Sequence, residues 1–361
     1  MVKFSLCMIV KNEEDVLDRC LNSCYKLFDE IIIVDTGSKD KTKEIAKRYT
    51  NKIYDFKWCD DFSKARNFSI SKCTCEYFMW LDADDVITAK NLKALLNLKN
   101  QITNEDIIYL KYDIDFNENN KPTFSFFRER IIKNNGKFLF NDAIHEAITP
   151  SENICFVDNI SIEHRKIKKT PKERNLKIYN QMIKNKKDFT PRMQFYYSRE
   201  LMYNNKIDLA IVNFNKFLKN KNAFIENKIE ACLNLSNCYL QKNDFNKALK
   251  TLFESFTYSL PRSEILCEIG KIYQYTAKYT NAVYYYKLAL KNKPNFTNLG
   301  FIIKECYDFV PYINLAVCYY NLKDYKNALK YNNLAKKLKP ENETILNNEK
   351  IIKNLLSSDH P

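Results

Sequence analysis

The segment Phe78–Asp85, which reads FMWLDADD, joins a run of apolar and aromatic residues to three closely spaced aspartates. The run starts at Tyr77 and is typical of a strand buried on both faces of a sheet. Ligands of open α/β sheets bind just beyond the carboxyl ends of the strands. The segment therefore predicts an α/β domain with chemistry at Asp82 and Asp84.

The three carboxylates allow two interpretations. Crowded carboxylates repel one another unless a cation lies between them, and Mg²⁺ or Mn²⁺ prefers carboxylates together with phosphate oxygens of a substrate. The first interpretation is therefore a metal–diphosphate site. The second is that Asp84 or Asp85 caps a helix that begins near Thr88. The segment by itself favours neither.

The composition limits the class of protein. A length of 361 residues favours two domains, and 45% hydrophobic with 28% charged residues is typical of a globular chain without a membrane span. The apolar stretch Phe4–Val10 lacks a cleavage site and is interpreted as a first strand. Twelve cysteines without a Cys-x-x-Cys pair indicate reduced thiols, so we expect a cytoplasmic protein. The chain has only four glycines, and they do not form the glycine pattern of a dinucleotide-binding fingerprint or of a Walker phosphate loop.

The net charge of +14 is unevenly distributed. Residues 1–165 carry 24 Lys and Arg against 27 Asp and Glu, whereas residues 166–361 carry 34 against 17. The basic half is a candidate surface for an acidic peptide, nucleic acid or an anionic membrane. The alternative is a Lys- and Asn-rich composition spread over solvated helix faces.

The alternation of strands and helices defines the first domain. Strand patterns at 4–10, 30–34, 52–56 and 77–81 alternate with helical patterns, which predicts a mostly parallel sheet. Later strands of a mixed sheet are expected at 107–113, 123–132 and 154–164. From residue 166 the pattern is helical throughout. We therefore predict an α/β domain over 1–165 and an all-α domain over 166–361.

The helical half contains an internal repeat. Ala210, Ala248, Ala282 and Ala328 align within similar segments and are 38, 34 and 46 residues apart. This is the helix–turn–helix period of tetratricopeptide repeats, with an insertion around Pro294–Val310. Such repeats form a concave surface that holds a peptide or another subunit, or they buttress a catalytic domain.

Three predicted strand ends converge on the site. They carry Val10 to Glu13, Asp35, and the pair Asp82 and Asp84. Asn12 and Asp35 are suited to hydrogen-bond a planar base, with Asp35 accepting from an imide N–H such as that of uracil. Arg66, one helix later, is placed to reach the base or a phosphate. Taken singly, each residue has a structural alternative: a cap for Asn12, a turn for Asp35 and a surface ion pair for Arg66.

Four motifs carry a resemblance to a known family. They are SLCMIVKNEE at 5–14, IVDTGSKD at 33–40, DFSKARN at 61–67 and WLDADD at 80–85. In this order and spacing they resemble family 2 glycosyltransferases of the GT-A fold. The later segment from Arg130 to His145-Glu146 resembles the bacterial peptide S-glycosyltransferases, which also carry tetratricopeptide-like helices.

The resemblance implies roles for particular residues. Val10, Asn12, Asp35 and Arg66 would line the nucleotide-sugar pocket, and Arg130 would approach the diphosphate. Asp82 and Asp84 would form the Asp-x-Asp pair, with Asp84 the direct ligand of Mg²⁺ or Mn²⁺ and His164 an additional ligand. The donor implied is a UDP-sugar such as UDP-glucose.

The acceptor side needs a base. A carboxylate opposite the leaving diphosphate removes the acceptor proton, and attack from that face inverts the anomeric centre. Glu146 is the candidate base, although His145 and Glu146 can exchange roles and Asp142 is a weaker competitor. The structural alternative for the pair is a buried His with a surface Glu.

Three hypotheses follow for the whole chain. The first is a metal-dependent inverting glycosyltransferase with a peptide or protein acceptor. The second keeps the enzyme and makes the acceptor a cell-envelope glycan or lipid-linked saccharide, with the basic half resting on the membrane as a peripheral contact. The third is a repeat adaptor with an inactive transferase domain. A homodimer through the repeats is a further candidate partner.

Overall fold

The computed structural model describes residues 2–117, 120–167, 171, 173–295 and 299–358. They form two compact units, Met1–Asp188 and Phe189–Pro361. The division lies one helix later than residue 165, because the helix Arg174–Lys184 belongs to the first unit. No helix in the described ranges is long and apolar enough to cross a membrane.

The first unit is built on a mixed, mostly parallel sheet, as the strand pattern predicts. Its strands, with a separate short pair β8–β9, are β1 (Phe4–Val10), β2 (Glu30–Asp35), β3 (Ile53–Asp55), β4 (Tyr77–Trp80), β5 (Asp85–Val86), β6 (Ile107–Phe116), β7 (Pro122–Lys133), β8 (Phe140–Asn141), β9 (Ala147–Ile148) and β10 (Ile154–His164). The order in the main sheet is β3-β2-β1-β4-β7-β6-β10-β5. Strands β3, β2, β1 and β4 are parallel, and β7 runs antiparallel to β4.

Both faces of the central strands are buried. Alternate residues of a strand point to opposite faces, so Leu6 and Met8 of β1 pack into one apolar cluster and Cys7 into the other. Strand β2 follows the same rule with Ile33 and Val34. This explains why the two strands read as continuous apolar runs instead of alternating ones.

The α-helices in the described part of the first unit are α1 (Leu17–Cys24), α2 (Thr42–Ala46), α3 (Phe62–Ile70), α4 (Ala89–Lys99) and α5 (Arg174–Lys184). The Asp61 side chain caps α3 by accepting from the Lys64 N–H at 3.1 Å. Thr88 caps α4 by accepting from the Asn91 N–H at 3.3 Å. The alternative in which Asp84 or Asp85 caps this helix is therefore wrong, because the residue next to the helix already does so.

The second unit is helical in its described part. Its helices are α6 (Pro191–Tyr203), α7 (Ile207–Leu218), α8 (Ile225–Gln241), α9 (Phe245–Glu254), α10 (Ser263–Tyr275), α11 (Tyr279–Ala289), α12 (Phe309–Asn321), α13 (Tyr325–Leu338) and α14 (Glu343–Ser358). Ala210, Ala248, Ala282 and Ala328 have no exposed surface, because neighbouring helices pack closely at these positions. Residues 296–298 of the expected insertion lie outside the described residues.

Candidate active site

The carboxyl ends of β1, β2 and β4 lie side by side, since Val10 pairs with Asp35 and Cys7 with Trp80 in the parallel ladders. A cavity of about 1040 Å³ opens at this edge, and all of its lining residues belong to the first unit. The predicted site residues that line it are Val10, Asn12, Arg66, Asp82, Asp84, His145, Glu146 and His164. Residues far apart in the chain are thus brought to one cavity.

Asp35 ends β2 next to Thr36, which lines the cavity, but Asp35 itself is almost fully buried and does not belong to the described lining. Its Oδ1 accepts hydrogen bonds from the N–H groups of Gly37 and Ser38, both at 2.9 Å. Its Oδ2 is buried without a hydrogen-bond partner within the described chain. A buried acceptor without a donor is costly, so this oxygen is suited to a donor supplied by a ligand.

Asn12 connects the loops that follow β1 and β2. Its Oδ1 accepts from the Lys39 N–H at 2.8 Å, and its own N–H donates to Ser38 Oγ at 2.9 Å. Its φ of 56° lies in the left-handed region, which asparagine tolerates better than most residues. Asn12 thus lines the cavity while its side chain also holds the loop in place.

Arg66 organises the acidic side of the cavity. Its buried guanidinium donates from Nη2 to Asp82 Oδ1 at 2.7 Å and from Nε to Glu146 Oε1 at 2.6 Å. It also lies 4.5 Å from the ring centroid of Trp80. Burial alone would raise the pKa of Asp82, but Arg66, followed by Arg130, outweighs it and holds that pKa well below its usual range. Asp82 therefore stays ionised.

Asp84, Asp85 and His164 form a cluster whose donor atoms all lie within 4.8 Å of one another. His164 Nδ1 lies 3.3 Å from Asp84 Oδ1 and 3.2 Å from Asp85 Oδ1. Two carboxylates and an imidazole are donors that hold a divalent cation. Asp82 stands outside this group because its carboxylate faces Arg66.

Within the cluster, Asp85 is occupied by structural contacts. It is fully buried, its Oδ1 accepts from the Tyr112 hydroxyl at 2.7 Å, and its Oδ2 accepts from the Asp82 N–H at 2.9 Å. Its Oδ2 also lies 3.2 Å from Arg130 Nη1. Asp84 and His164, which line the cavity, are therefore the residues that fit a cation, and Asp85 orients the ring of His164.

The carboxylates of Asp84 and Asp85 shift the pKa of His164. Burial lowers the pKa of His164, but hydrogen bonds to Asp84 and Asp85 outweigh it and raise the pKa to about 10. In the absence of a cation the proton on His164 balances part of the carboxylate charge. A cation held by Asp84 and His164 would take the place of that proton.

Arg130 lies beneath the site instead of at the expected diphosphate position. It has no exposed surface and does not belong to the described lining of the cavity. Its guanidinium lies 3.9 Å from the Trp80 ring and 4.3 Å from the Tyr112 ring, and Nη1 donates to the Trp80 carbonyl at 2.9 Å. The reason is the sheet itself, because β7 runs next to β4 and directs this side chain into the core.

The segment with the candidate base is fixed to α3. The Phe62 N–H donates to the Ala143 carbonyl at 2.8 Å, one turn before the Arg66–Glu146 ion pair. Glu146 Oε1 accepts from Arg66, and no described group hydrogen-bonds Oε2. His145 also lines the cavity, with a φ of 54°. Asp142, the weaker competitor, does not belong to the described lining.

One wall of the cavity consists of residues to which the sequence analysis gave no role. It contains Trp58 and Phe62, whose rings meet edge to face at 4.7 Å, together with residues of α5. On α5 the lining residues Arg174, Lys177, Ile178 and Gln181 follow helical spacing. The helical spacing of these residues was the signal in the sequence that they share one face of α5. The sequence does not reveal which part of the protein that face packs against.

Comparisons with known proteins match both units. Residues 5–152 match the model of Glycosyl transferase family 2, and residues 229–255, 263–296 and 311–342 match the Tetratricopeptide repeat model. A TPR repeat-containing protein of Synechococcus elongatus is 34% identical over 152 residues, which are 42% of this chain and 36% of the relative.

A second relative covers more of the chain. The SPbeta prophage-derived glycosyltransferase SunS of Bacillus subtilis is 28% identical over 254 residues, which are 66% of this chain and 59% of the relative. The chain thus spans less than two thirds of either relative. Among solved structures, YrrB, described as a TPR protein with an unusual peptide-binding site, is 14% identical, with a TM-score of 0.39 over 50% of this chain and 84% of its own.

Proposed function

We propose that this chain transfers a sugar from a nucleotide-diphosphate donor to a peptide or protein acceptor. Its residues 5–152 are a family 2 glycosyltransferase domain, and tetratricopeptide repeats follow that domain. The donor proposed is a UDP-sugar, UDP-glucose foremost, and the reaction depends on Mg²⁺ or Mn²⁺ and inverts the anomeric centre. The observation that carries the proposal is the meeting of Asp82, Asp84, His164 and Glu146 in one cavity.

The donor side of the cavity supports a nucleotide diphosphate. The unpartnered Oδ2 of Asp35 is suited to accept from the imide N–H of uracil, beside Val10 and Asn12 at the strand ends. Asp84 and His164 would hold the divalent cation. When bound, that cation supplies positive charge for the leaving diphosphate.

The acceptor side supports base catalysis by Glu146. In the proposed step the acceptor oxygen or sulfur forms a bond to the anomeric carbon, and the bond from that carbon to the diphosphate oxygen breaks. The electron pair leaves with the diphosphate, and the acceptor proton moves to Glu146 Oε2, which no described group hydrogen-bonds. Arg66 holds Glu146 in position through Oε1.

The repeats favour a polypeptide acceptor over the alternatives. Tetratricopeptide repeats commonly bind peptides along their concave surface, and the repeats follow the transferase domain in the same chain. A cell-envelope glycan or lipid-linked saccharide is the second candidate acceptor, on account of the basic second half. An adaptor with an inactive transferase half agrees less well with the retained Asp84, His164 and Glu146.

A binding screen tests the donor proposal. The protein is heated with UDP, GDP and their sugar conjugates, each with and without Mn²⁺. A ligand of the native state stabilises it by about 2.7 kcal/mol at a hundredfold excess over its dissociation constant. We expect a Mn²⁺-dependent rise in melting temperature with UDP and its conjugates. The absence of any rise with all of them would contradict the proposal and favour the adaptor.

A further inference from the structure

The connection between α11 and α12 is longer than the other connections of the second unit. It comprises residues 290–308, whereas residues 219–224 join α7 to α8 and residues 339–342 join α13 to α14. Helices α11 and α12 pack against each other, as α7 and α8 do, so a link of six residues would suffice between them. The additional residues therefore have a role other than joining the two helices.

Residues 299–308 of this connection, which we call the strap, contact several helices of the second unit. The Arg199 guanidinium of α6 lies 5.3 Å from the ring centroid of Phe301. The N–H of Ile303 donates to Glu264 Oε1 of α10 at 3.0 Å. The strap thus contacts both α6 and α10, which are the first helices of two different repeat pairs.

The first helices form the concave side of the repeats. In a curved stack of helix pairs, the helices of successive pairs approach each other more closely on the concave side than on the convex side. Here α6 contacts α8, and α10 contacts α12, and all four are the first helices of their pairs. The strap therefore lies on the surface with which repeat proteins of this kind bind their ligands.

Both carboxylate oxygens of Glu264 bind the strap. Oε1 accepts from the Ile303 N–H, and Oε2 accepts from the Tyr307 hydroxyl, also at 3.0 Å. Glu264 is only 6% exposed, and burial raises its pKa, which the hydrogen bonds from the strap offset only in part. A buried carboxylate is costly unless its oxygens are hydrogen-bonded. Glu264 is therefore a receptor for one backbone N–H and one hydroxyl of an extended chain.

The strap also passes close to an ion pair at the start of α8. Arg262 holds Glu226 with two hydrogen bonds, from Nη1 to Oε2 at 2.5 Å and from Nη2 to Oε1 at 2.6 Å. A Cβ atom on Gly300 would overlap Glu226 Oε2 and would lie 2.9 Å from Arg262 Nη1. The surface therefore accepts a residue without a side chain at this point, and the buried side chains of Ile302 and Cys306 follow it along the strap.

We propose that the concave face of the repeats is a binding site for an extended polypeptide, that the strap occupies it in place of this ligand, and that the partner binds by displacing the strap. The partner that fits carries the pattern of the strap, which is a glycine, apolar residues after it, and a tyrosine at the position that corresponds to Tyr307. The inference goes beyond the proposed function, because it does not depend on the reaction of the first unit.

Two physical arguments support an exchangeable occupant. The strap can leave the surface without separating α11 from α12, because these helices pack against each other directly. The contacts of the strap come from a backbone N–H, a tyrosine hydroxyl and apolar side chains, all of which a separate peptide can supply. A partner with the same pattern therefore makes the same contacts, and its concentration determines how much of the strap is displaced.

The test measures the fluorescence anisotropy of a labelled peptide with the sequence of residues 299–308, in which Cys306→Ser prevents disulfide formation. The peptide is titrated with the wild type and with a shortened chain. In the shortened chain, Gly and Ser residues replace residues 290–307, so that together with Asp308 the link has the same length as residues 219–224 between α7 and α8. Far-UV circular dichroism verifies that the shortened chain keeps its helices.

We expect the shortened chain to bind the peptide at least about tenfold more tightly than the wild type, in which the strap competes at an effective concentration of about 1 mM. A peptide with Phe at the position of Tyr307 should bind about tenfold more weakly, because it lacks the hydroxyl that donates to Glu264. A peptide with the same residues in scrambled order is the control and should not bind.

A point variant of the full chain keeps the test decisive even where the shortened chain fails to fold. Tyr307→Phe removes one hydrogen bond of the strap and leaves the helices unchanged, so it should raise the affinity for the tyrosine peptide about tenfold over the wild type. Tyr275→Phe changes an exposed tyrosine of α10 and is the matched control, which should bind the peptide as the wild type does.

Three results would overturn the proposal. The first is that Tyr307→Phe binds the tyrosine peptide no more tightly than the wild type. The second is that a shortened chain with intact helices does not bind the peptide. The third is a wild-type dimer that disappears on shortening, which would assign the concave face to the strap of a second copy. None of these measurements involves UDP or Mn²⁺, so the proposal on the repeats and the proposed transferase function fail independently.

Discussion

Arg66 Nε and Glu146 Oε1 lie 2.6 Å apart in an ion pair that joins α3 to the segment with the candidate base. The same guanidinium holds Asp82 at 2.7 Å from its other end. A single buried cation therefore orders two carboxylates that come from separate parts of the chain.

Replacing Arg66 by Met should destabilise the first unit. The change removes the counter-charge that Asp82 and Glu146 share, and breaking a buried ion pair in this way costs about 3 to 5 kcal/mol. Both tryptophans of the chain lie in the first unit, so tryptophan fluorescence during urea unfolding measures the effect. Lys64→Met, at an exposed position of the same helix, is the matched control and should change stability by about 0.5 kcal/mol or less.

Asp84 and Asp85 should respond differently to replacement by Asn. Asp84→Asn should keep the melting temperature of the wild type and lose the Mn²⁺-dependent effect of UDP, since Asp84 lines the cavity. Asp85→Asn should lower the stability by about 3 to 5 kcal/mol, because it leaves the buried Arg130 without its carboxylate. The assignment is contradicted if Asp84→Asn unfolds the protein while Asp85→Asn leaves it stable.

The stability of the first unit should fall in acid through Glu30. Burial raises the pKa of Glu30, but hydrogen bonds from Lys52, Ser5 and Thr74 outweigh it and lower the pKa from 4.5 to about 2. A carboxyl whose pKa is lower in the folded state stabilises the fold above its unfolded pKa, and this contribution is lost as the pH falls toward the folded value. The expected loss between pH 6 and pH 2 is roughly 2 to 3 kcal/mol.

Glu30→Gln supplies the control for this pH dependence. The variant should be less stable than the wild type at pH 6, and the difference should shrink as the pH approaches 2, in urea titrations followed by tryptophan fluorescence. A difference between the two proteins that stays constant with pH would refute the role of Glu30.

Gly270 should resist replacement by Ala in the second unit. A Cβ atom at this position would lie 2.8 to 3.0 Å from ring atoms of Tyr286, which is fully buried and hydrogen-bonded to Gln274. The strain of overpacking, about 1 to 3 kcal/mol, outweighs the gain of about 1 kcal/mol in helix propensity. Far-UV circular dichroism should show earlier unfolding while tryptophan fluorescence stays unchanged.

A second substitution tests the cause of that effect. Adding Tyr286→Leu removes the ring that the new methyl group would meet, so Gly270→Ala should cost less in the Tyr286→Leu background than in the wild type. Equal costs in both backgrounds would show that the ring is not the obstacle.

Much of the fold was predictable from local pattern. Strands β1 and β10 have the bounds that their patterns indicated, and the buried alanines of the repeats stand where the internal periodicity placed them. Position at a strand end predicted a common site for Asp82 and Asp84, and the family resemblance added Glu146 and His164 to it; all four line one cavity. The two-residue alternation of strands and the spacing of the helical repeats are patterns along the chain, so they can be recognised in the sequence.

The roles of individual site residues depended on contacts that no pattern contains. Arg130 could be expected at the diphosphate from the sequence, yet it is buried between Trp80 and Tyr112 because β7 lies next to β4. The sequence could not assign different roles to Asp84 and Asp85. The roles differ because Asp85, and not Asp84, contacts Tyr112 and Arg130.

The sequence by itself determined the two architectures, their order along the chain and the carboxylates at the strand ends, because periodicity and residue type act over short distances. Only the tertiary structure decided that Arg66 pairs with both Asp82 and Glu146, and that α5 brings Arg174 over Phe62. These pairings join residues 16, 80 and 112 positions apart. The two pairings of Arg66 form because a buried charge requires a partner, and the packing of the sheet and helices determines which partners are within reach.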